Sequence, residues 1–265
     1  MKVFISADIE GVTGTTHWDE VNLKNPEYAR FAEQMTAEVV AACEGAFRAG
    51  AREVWVKDAH WTGRNLIPER LPREVKLVRG WSGHPYSMLD GLDDTFNAVM
   101  LIGYHSPALS NTNPLAHTMT GGVVQVRIND HLASEFLICA YIAGSLKVPV
   151  VFLSGDAGLC DHAKEFLPDL YTVAVKEGIG DSTINIHPEL AVERIRTGAQ
   201  QALQRSCDSC LLQMPKRFLV EIQYKEHPQA RRASYYPGAS LKDAATIQFE
   251  AKEAFEMFRF FSFVL

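Results

Sequence analysis

The first apolar run of the chain, residues 3–7, leads directly into two acidic residues, Asp8 and Glu10. In an extended backbone, residues two apart project to the same side, so the two carboxylates point together and Ile9 points away. Neighbouring carboxylates repel each other unless a cation lies between them. The spacing is therefore typical of a metal site, although a solvated loop carrying two acids is an equally simple interpretation.

An imidazole follows each of two other strand-like runs. Asp58 and His60, again two apart, follow residues 53–57, and His105 follows shortly after residues 98–103. Histidine is the commonest metal ligand, through its neutral imidazole. Asp58 could orient His60, bind a metal directly or cap the start of a helix. His105 could equally be a satisfied residue of the core.

Further polar residues lie in the middle of the chain. His117 is in a loop that contains Pro and Gly, Asn129 follows a strand-like run, and Glu135 begins an apolar helical pattern. Glu135 could bind a metal or merely complement the helix dipole. Asn129 is a candidate for support behind the ligands.

Each of these signals is weak alone, but a shared crevice explains them together. In open α/β sheets, ligands bind outside the carboxyl ends of the strands, and three predicted strand ends here carry Asp, Glu or His. Carboxylates mixed with imidazoles, without a thiolate, suit Zn, Mn or Co, and two such ions can share a carboxylate and clamp a water. The sequence contains no P-loop, no G-x-S-x-G elbow, no G-x-G-x-x-G after a strand and no H-E-x-x-H.

The elements that must position these residues alternate along the chain. Strand-like runs cover residues 3–7, 53–57, 75–78, 98–103, 123–128, 148–153 and 170–175, and helical patterns cover 29–49, 134–146 and 157–166. Such alternation predicts an α/β fold with a mostly parallel sheet flanked by helices. After about residue 185 come a helical pattern, two strand-like runs and an aromatic closing helix at 255–265. We predict an α/β metal-binding catalytic domain at 1–185 and a smaller α+β subdomain at 186–265, with one single domain as the alternative.

Composition excludes several classes of partner. The chain has 265 residues and a net charge of -6, so it lacks the basic surface that nucleic acid requires. No run approaches the roughly 20 apolar residues of a membrane helix, and the N-terminus lacks the apolar segment of a secretory signal. Five scattered cysteines favour a reducing compartment, so we predict a cytoplasmic protein. Cys207 and Cys210 have C-x-x-C spacing, but no second pair follows to complete a zinc site.

Taken together, these motifs resemble those of the D-aminopeptidase (DppA) family of di-zinc peptidases. The resemblance spans essentially the whole chain, with the motifs in the family's order. They are Asp8-Ile9-Glu10-Gly11, Asp58-Ala59-His60, Gly91-Leu92-Asp93-Asp94-Thr95-Phe96, Gly103-Tyr104-His105, His117-Thr118-Met119, Ile128-Asn129-Asp130 with Glu135, Gly155-Asp156, Pro237-Gly238 and Thr246-Ile247-Gln248-Phe249.

The resemblance implies a site and an activity. The family's zinc ligands, two ions per chain, fall on Asp8, Glu10, His60, His105 and Glu135. An additional active-site histidine, proposed to act in catalysis, falls on His117, and Asp58 and Asn129 are possible supports behind the ligands. The implied activity is release of N-terminal amino acids, with a preference for D-residues, from short peptides by homo-oligomers that form ring-shaped decamers.

Two other functions remain open from the sequence. Another di-metal amidohydrolase, acting on a small or cyclic amide, would keep the ligands and change the pocket. A non-catalytic metal- or peptide-binding module would bind without turnover. Trp18, residues 61–64 and the 106–114 loop are free to differ within the family, so side-chain preference is less determined than the chemistry.

Overall fold

The computed structural model describes residues 1–206 and 208–265, so Cys207, and with it the C-x-x-C spacing, lies outside the described residues. In chain order the strands are β1 (Lys2–Ala7), β2 (Glu53–Asp58), β3 (Val75–Val78), β4 (Ala98–Tyr104), β5 (Val123–Ile128), β6 (His131–Leu132), β7 (Val150–Asp156), β8 (Tyr171–Ile179), β9 (Ser182–Asn185), β10 (Phe218–Tyr224), β11 (Ser240–Leu241) and β12 (Thr246–Ala251). The α-helices are α1 (Tyr28–Arg48), α2 (Glu135–Ser145), α3 (Ala157–Phe166), α4 (Pro188–Gln204), α5 (His227–Ala233) and α6 (Ala254–Val264).

The larger sheet confirms the predicted α/β fold. Its strand order is β3-β2-β1-β4-β7-β8-β9, and all its pairs are parallel except that of β8 with β9. Apolar cores lie on both faces, as the near-continuous apolar runs of β1, β4 and β7 require. One core holds α1 and α4, and the other holds α2 and α3.

The second sheet takes strands from two distant parts of the chain. Its order is β11-β12-β10-β5-β6, and it is antiparallel throughout. Residues 123–128, which alternation assigns to the parallel sheet, lie here instead, because a two-residue turn joins β5 to β6. Asn129 and Asp130 both have positive φ in that turn, 50° and 67°, which is the geometry of a tight hairpin and not of a crossover.

The two sheets do not divide the chain at residue 185. Helix α4 follows that residue yet packs on α1, whereas β5 and β6 precede it and pair with the C-terminal strands. The C-terminal helix α6 packs on β10, β12 and α2, burying Met257, Phe258, Phe260 and Phe261. That residues 1–185 and 186–265 fold as separate units stays a prediction.

Within residues 1–206 and 208–265, no helix has both the length and the apolar run that crossing a bilayer would demand.

Candidate metal centre

The strand order of the larger sheet places three chemistry-bearing segments side by side. Strand β1 lies between β2 and β4, because the chain runs to one edge through β2 and β3 and then returns to the other side of β1. This reversal creates a crevice at the carboxyl ends of β1 and β4. Asp8 and Glu10 follow β1, His60 follows β2, and His105 follows β4.

Glycines allow the ends of β1 and β4 to approach closely. Gly103 has φ +71°, and a Cβ there would lie 2.3 Å from the carbonyl oxygen of Asp8. Gly11 donates its N–H to the oxygen of Gly103 at 2.8 Å, and a Cβ on Gly11 would lie 1.7 Å from the Tyr104 oxygen. Side chains at either position would force the ligand-bearing loops apart.

Helix α2 delivers Glu135 to the same place. Ser134 caps this helix by accepting the N–H of Leu137 at 3.1 Å, so the carboxylate of Glu135 leaves from the first turn. The backbone N–H of Met119 donates to Oε1 of Glu135 at 2.7 Å. Met119 has φ 63°, so the loop is held in a left-handed conformation where it meets the carboxylate.

His60 turns one ring nitrogen toward the carboxylates. Its Nε2 lies 2.9 Å from the Val21 carbonyl, which assigns the ring proton to that nitrogen. The unprotonated Nδ1 then lies 3.1 Å from Oε2 of Glu10 and 3.4 Å from Oδ1 of Asp8. Three acceptors therefore face one another, which is stable only around a shared cation or an added proton.

His105 repeats the arrangement on the other side of Asp8. Its Nδ1 lies 2.9 Å from the Ser106 carbonyl, and its Nε2 lies 3.5 Å from Asp8 Oδ2 and 3.3 Å from Glu135 Oε2. The ring of His117 stacks on that of His105, with centroids 4.3 Å apart. Nδ1 of His117 lies 2.9 Å from the Leu115 carbonyl, and its Nε2 lies 3.7 Å from Glu135 Oε1.

The five side chains of Asp8, Glu10, His60, His105 and Glu135, here called the ligand cluster, are all buried. Within the described chain, three of their buried atoms find no hydrogen-bond partner: Asp8 Oδ2, Glu10 Oε2 and His105 Nε2. Two groups, Asp8–Glu10–His105 and His105–His117–Glu135, each bring three possible ligand atoms within 4.8 Å of one another. Asp8 turns Oδ1 toward His60 and Oδ2 toward His105, so the residues fit a pair of neighbouring cations.

The pKa values of the cluster show its demand for positive charge. Burial, with the neighbouring Glu10, raises the pKa of Asp8 well above its usual range. Burial also acts to raise the pKa of Glu10, but the charge and hydrogen bond of His60, together with His117 and His105, outweigh burial and hold that pKa well below its usual range. Burial disfavours the His105 imidazolium, yet Glu135, Asp8 and Glu10 together outweigh burial and raise the pKa of His105 to about 10. A metal must displace these protons, so metal affinity falls as pH falls.

A second buried group, here called the Asp156 cluster, comprises Asp156, Asn113, Ser106 and Lys176. Asp156 Oδ2 accepts from Ser106 N at 2.8 Å and Asn113 Nδ2 at 2.9 Å, and its Oδ1 accepts from Leu159 N at 2.8 Å and from the Ser106 hydroxyl. The ammonium of Lys176 donates to the backbone oxygens of Glu10 and Thr15. This cluster therefore stabilises the backbone that carries Glu10 and His105.

Asp58 and Asn129, the two residues predicted to support the metal ligands, lie in different parts of the structure. Asp58 is buried and accepts from the N–H groups of Asn65 at 2.5 Å and Leu66 at 2.7 Å. Asn65 in turn donates to the carbonyl of His60 at 2.6 Å, so Asp58 orients His60 through the backbone. The structure does not bring Asn129 to the site, since its amide bonds the backbone of Arg217 and Leu219 instead.

Three contributors to this site are not among the residues predicted from the sequence. Lys176 and Asn113 each donate a hydrogen bond to the backbone oxygen of Glu10. Trp81 lines a cavity that members of the ligand cluster also line. The only sequence signal for Lys176 is a lysine that directly continues the apolar run of β8. Asn113 and Trp81 lie in loops, where no periodicity marks them.

The chain is similar over its whole length to proteins of known activity. A family model described as D-aminopeptidase, of peptidase family M55, matches residues 1–263. The D-aminopeptidase of Bacillus subtilis (strain 168) is 34% identical over 261 residues, which cover 98% of this chain and 94% of that protein. The solved structure of the Zn-dependent D-aminopeptidase DppA from Bacillus subtilis, described as a self-compartmentalizing protease, matches with a TM-score of 0.94 and 32% identity, covering 100% of this chain and 96% of that one.

Proposed function

Because the chain belongs to the D-aminopeptidase family, peptidase family M55, we propose that it is a zinc-dependent aminopeptidase acting on N-terminal D-residues of short peptides. The observation that carries the proposal is the ligand cluster, whose buried acceptors Asp8 Oδ2, Glu10 Oε2 and His105 Nε2 have no donor within the described residues. Buried polar atoms of this kind require a partner, and a cation satisfies all three together.

Asp8, Glu10, His60, His105 and Glu135 would hold two zinc ions. Zinc there supplies Lewis-acid activation of the scissile carbonyl and of the attacking water. The ring hydrogen bonds of His60 and His105 to backbone carbonyls place the proton of each neutral ring on the nitrogen that faces away from the metals, and they fix the ring orientations.

His117 is the proposed acid/base or oxyanion partner. Its Nδ1 is committed to the Leu115 carbonyl, so Nε2 is the nitrogen that exchanges a proton in the cleft. The side chain is more exposed than those of the cluster, at 17% against 4% for Glu135, which gives it access to substrate. Its place beside Glu135 also fits a metal ligand, so the role rests on the variants described below.

A substrate panel tests the activity. Protein reconstituted with zinc is expected to hydrolyse D-Ala-D-Ala faster than L-Ala-L-Ala, and to lose activity when N-acetylation blocks the α-amine. Elemental analysis should give close to two zinc ions per chain. Equal rates on N-blocked or cyclic amides would replace the aminopeptidase by the alternative, another di-metal amidohydrolase. At most one ion after reconstitution would contradict the two-zinc site.

The proposal includes a homo-oligomer in the form of a ring-shaped decamer, and a cytoplasmic location. Two observations support assembly. The similar structure, DppA from Bacillus subtilis, is described as a self-compartmentalizing protease. In addition, α6 leaves the apolar side chains of Phe255 and Phe263 exposed, at 42% and 75%. Light scattering at assay concentration tests it, and a monomer mass would rule it out. The buried thiols of Cys43, Cys139 and Cys160 form no disulfide, as expected in a reducing compartment.

A further inference from the structure

Tryptophans surround the entrance to the ligand cluster. Trp18, Trp61 and Trp81, three of the four tryptophans of the chain, line a cavity of about 540 Å³ whose lining also includes Asp8, Glu10, His60 and Glu135. Their exposed fractions are 46%, 51% and 42%. Large apolar rings left in water beside a polar cleft are typical of a ligand-binding surface.

The Trp81 indole is fixed to the backbone of Trp61 and to the end of β2. Nε1 of Trp81 donates to the Trp61 carbonyl at 2.8 Å. The ammonium of buried Lys57 lies 4.0 Å from the centre of the Trp81 ring and donates to the Asp58 carbonyl at 2.9 Å. Trp61 itself has φ 40°, a conformation that non-glycine residues adopt only when their surroundings enforce it. The Trp81 ring and the Trp61 backbone are therefore held in place before substrate binds.

Trp18 approaches from a different segment and touches the proposed catalytic histidine. Its ring lies edge-on to that of His117, with centroids 5.4 Å apart. A capping box between His17 and Glu20 fixes the single helical turn that carries it. Trp18 therefore lines the cavity, contacts His117 and contributes no charge.

The remaining lining determines which side chains the cavity accepts. The lining also includes the apolar residues Val21, Met88 and Met119, and its acidic residues are all members of the ligand cluster. Of the described lining residues, none is Lys or Arg, so an acidic substrate side chain would find no lysine or arginine to pair with. Aromatic faces and Met sulfur favour an aromatic or large aliphatic side chain.

We propose that Trp18, Trp61 and Trp81 form an apolar subsite that selects an aromatic or large aliphatic side chain on a residue flanking the scissile bond. The inference rests on the proposed peptidase activity, and it assigns that activity its side-chain preference. Because the Trp81 ring is held by contacts that do not involve substrate, binding loses little conformational entropy at that ring.

The test uses zinc-loaded protein and three substrates, D-Ala-D-Ala, D-Phe-D-Ala and D-Ala-D-Phe. We expect kcat/KM for one of the phenylalanine peptides to exceed that for D-Ala-D-Ala by roughly tenfold or more. In Trp61→Ala and Trp81→Ala this ratio should fall to within about twofold of unity, and Trp61→Phe should restore most of it. Trp55→Phe is the matched control, since Trp55 bonds Glu53 on β2 and contacts Phe96 instead of the cavity.

Binding separates this inference from the proposed function. Dipeptide analogues with a reduced, non-hydrolysable bond are titrated by calorimetry against each variant, with zinc content and circular dichroism as checks on folding. Tighter binding of the phenylalanine analogue without turnover of any peptide would keep the subsite and remove the peptidase. Hydrolysis at equal rates for all three substrates, with equal binding of the analogues, would overturn the subsite and leave the peptidase standing.

Discussion

The ligand cluster and the Asp156 cluster are both buried, both contain carboxylates and lie next to each other, yet their hydrogen bonding differs. Each oxygen of Asp156 accepts two donors. In contrast, Asp8 Oδ2 and Glu10 Oε2 have no donor among the described residues. A carboxylate with four donors stabilises the fold by itself, whereas one without donors depends on a cation supplied from outside.

The difference assigns separate tasks to the two clusters. Burial lowers the pKa of Lys176 to about 8, but its ammonium is satisfied by two backbone oxygens and has Asp156 and Glu10 nearby. That cluster fixes where the backbone of Glu10 and Ser106 lies, and the ligand cluster supplies the atoms that bind. Variants that separate metal affinity from stability are therefore the sharpest tests of the comparison.

The largest effect is expected from His105→Ala, because Nε2 of His105 faces both carboxylates of the cluster nearest to it, 3.5 Å from Asp8 Oδ2 and 3.3 Å from Glu135 Oε2. The variant should lose zinc, and with it a polarisation worth several kcal/mol, so kcat/KM should fall by roughly 10³-fold or more. Zinc content by elemental analysis and activity are measured on the same sample. Full zinc occupancy in this variant would remove His105 from the coordination sphere.

His117→Ala is expected to lower kcat by at least about a hundredfold, roughly 2.7 kcal/mol, with zinc occupancy unchanged. The reason is that Nε2 of His117 faces the cleft while its other nitrogen bonds Leu115. Measuring this variant beside His105→Ala separates catalyst from ligand. Loss of zinc together with activity would make His117 a ligand, and near-normal activity would make it a bystander.

A matched pair of substitutions contrasts the clusters directly. Asp156→Asn replaces an acceptor by an amide nitrogen that faces two donors, so the free energy of unfolding should fall by about 2–4 kcal/mol. Asp8→Asn replaces a carboxyl whose ionisation burial and Glu10 both disfavour, so the metal-free protein should be no less stable than the parent while zinc binding is lost.

Urea unfolding of the metal-free proteins and zinc titration of the folded proteins measure both quantities. Equal losses of stability in the two variants would show that both clusters stabilise the metal-free fold to the same extent, which would contradict the separate roles of the two clusters.

The smallest effect concerns Glu38, whose buried carboxylate accepts the N–H of Thr13 at 3.1 Å, close to the ligand loop. Burial raises its pKa from the ordinary 4.5 to about 7. The folded protein therefore holds a proton that the unfolded chain releases between these values, and its stability falls as pH rises from 4.5 to 7. Glu38→Gln should remove this loss, gaining on the order of 1–3 kcal/mol over the parent between pH 4.5 and 8. Parallel dependence of the two proteins on pH would show that Glu38 does not titrate in this range.

Much of the fold follows from local patterns. The apolar runs at β1, β4 and β7 and the helical periodicity of α1 appear close to their predicted positions, because burial on both sheet faces leaves a strong signal in the sequence. The assignment of β5 to the parallel sheet was wrong for a local reason with a distant consequence. The turn at Asn129 and Asp130 makes a hairpin, and its partner β10 lies about 90 residues further along the chain.

The sequence by itself determined the kind of chemistry, because the alternation of Asp8 with Glu10 and of Asp58 with His60 at strand ends is set by the two-residue period of an extended chain. Only the tertiary structure decided which of these groups meet, since the order β2-β1-β4 depends on long-range strand pairing. It also placed Lys176 under the Glu10 backbone and brought Trp18, Trp61 and Trp81 to one cavity. These contacts join segments distant in sequence, and no local periodicity encodes them.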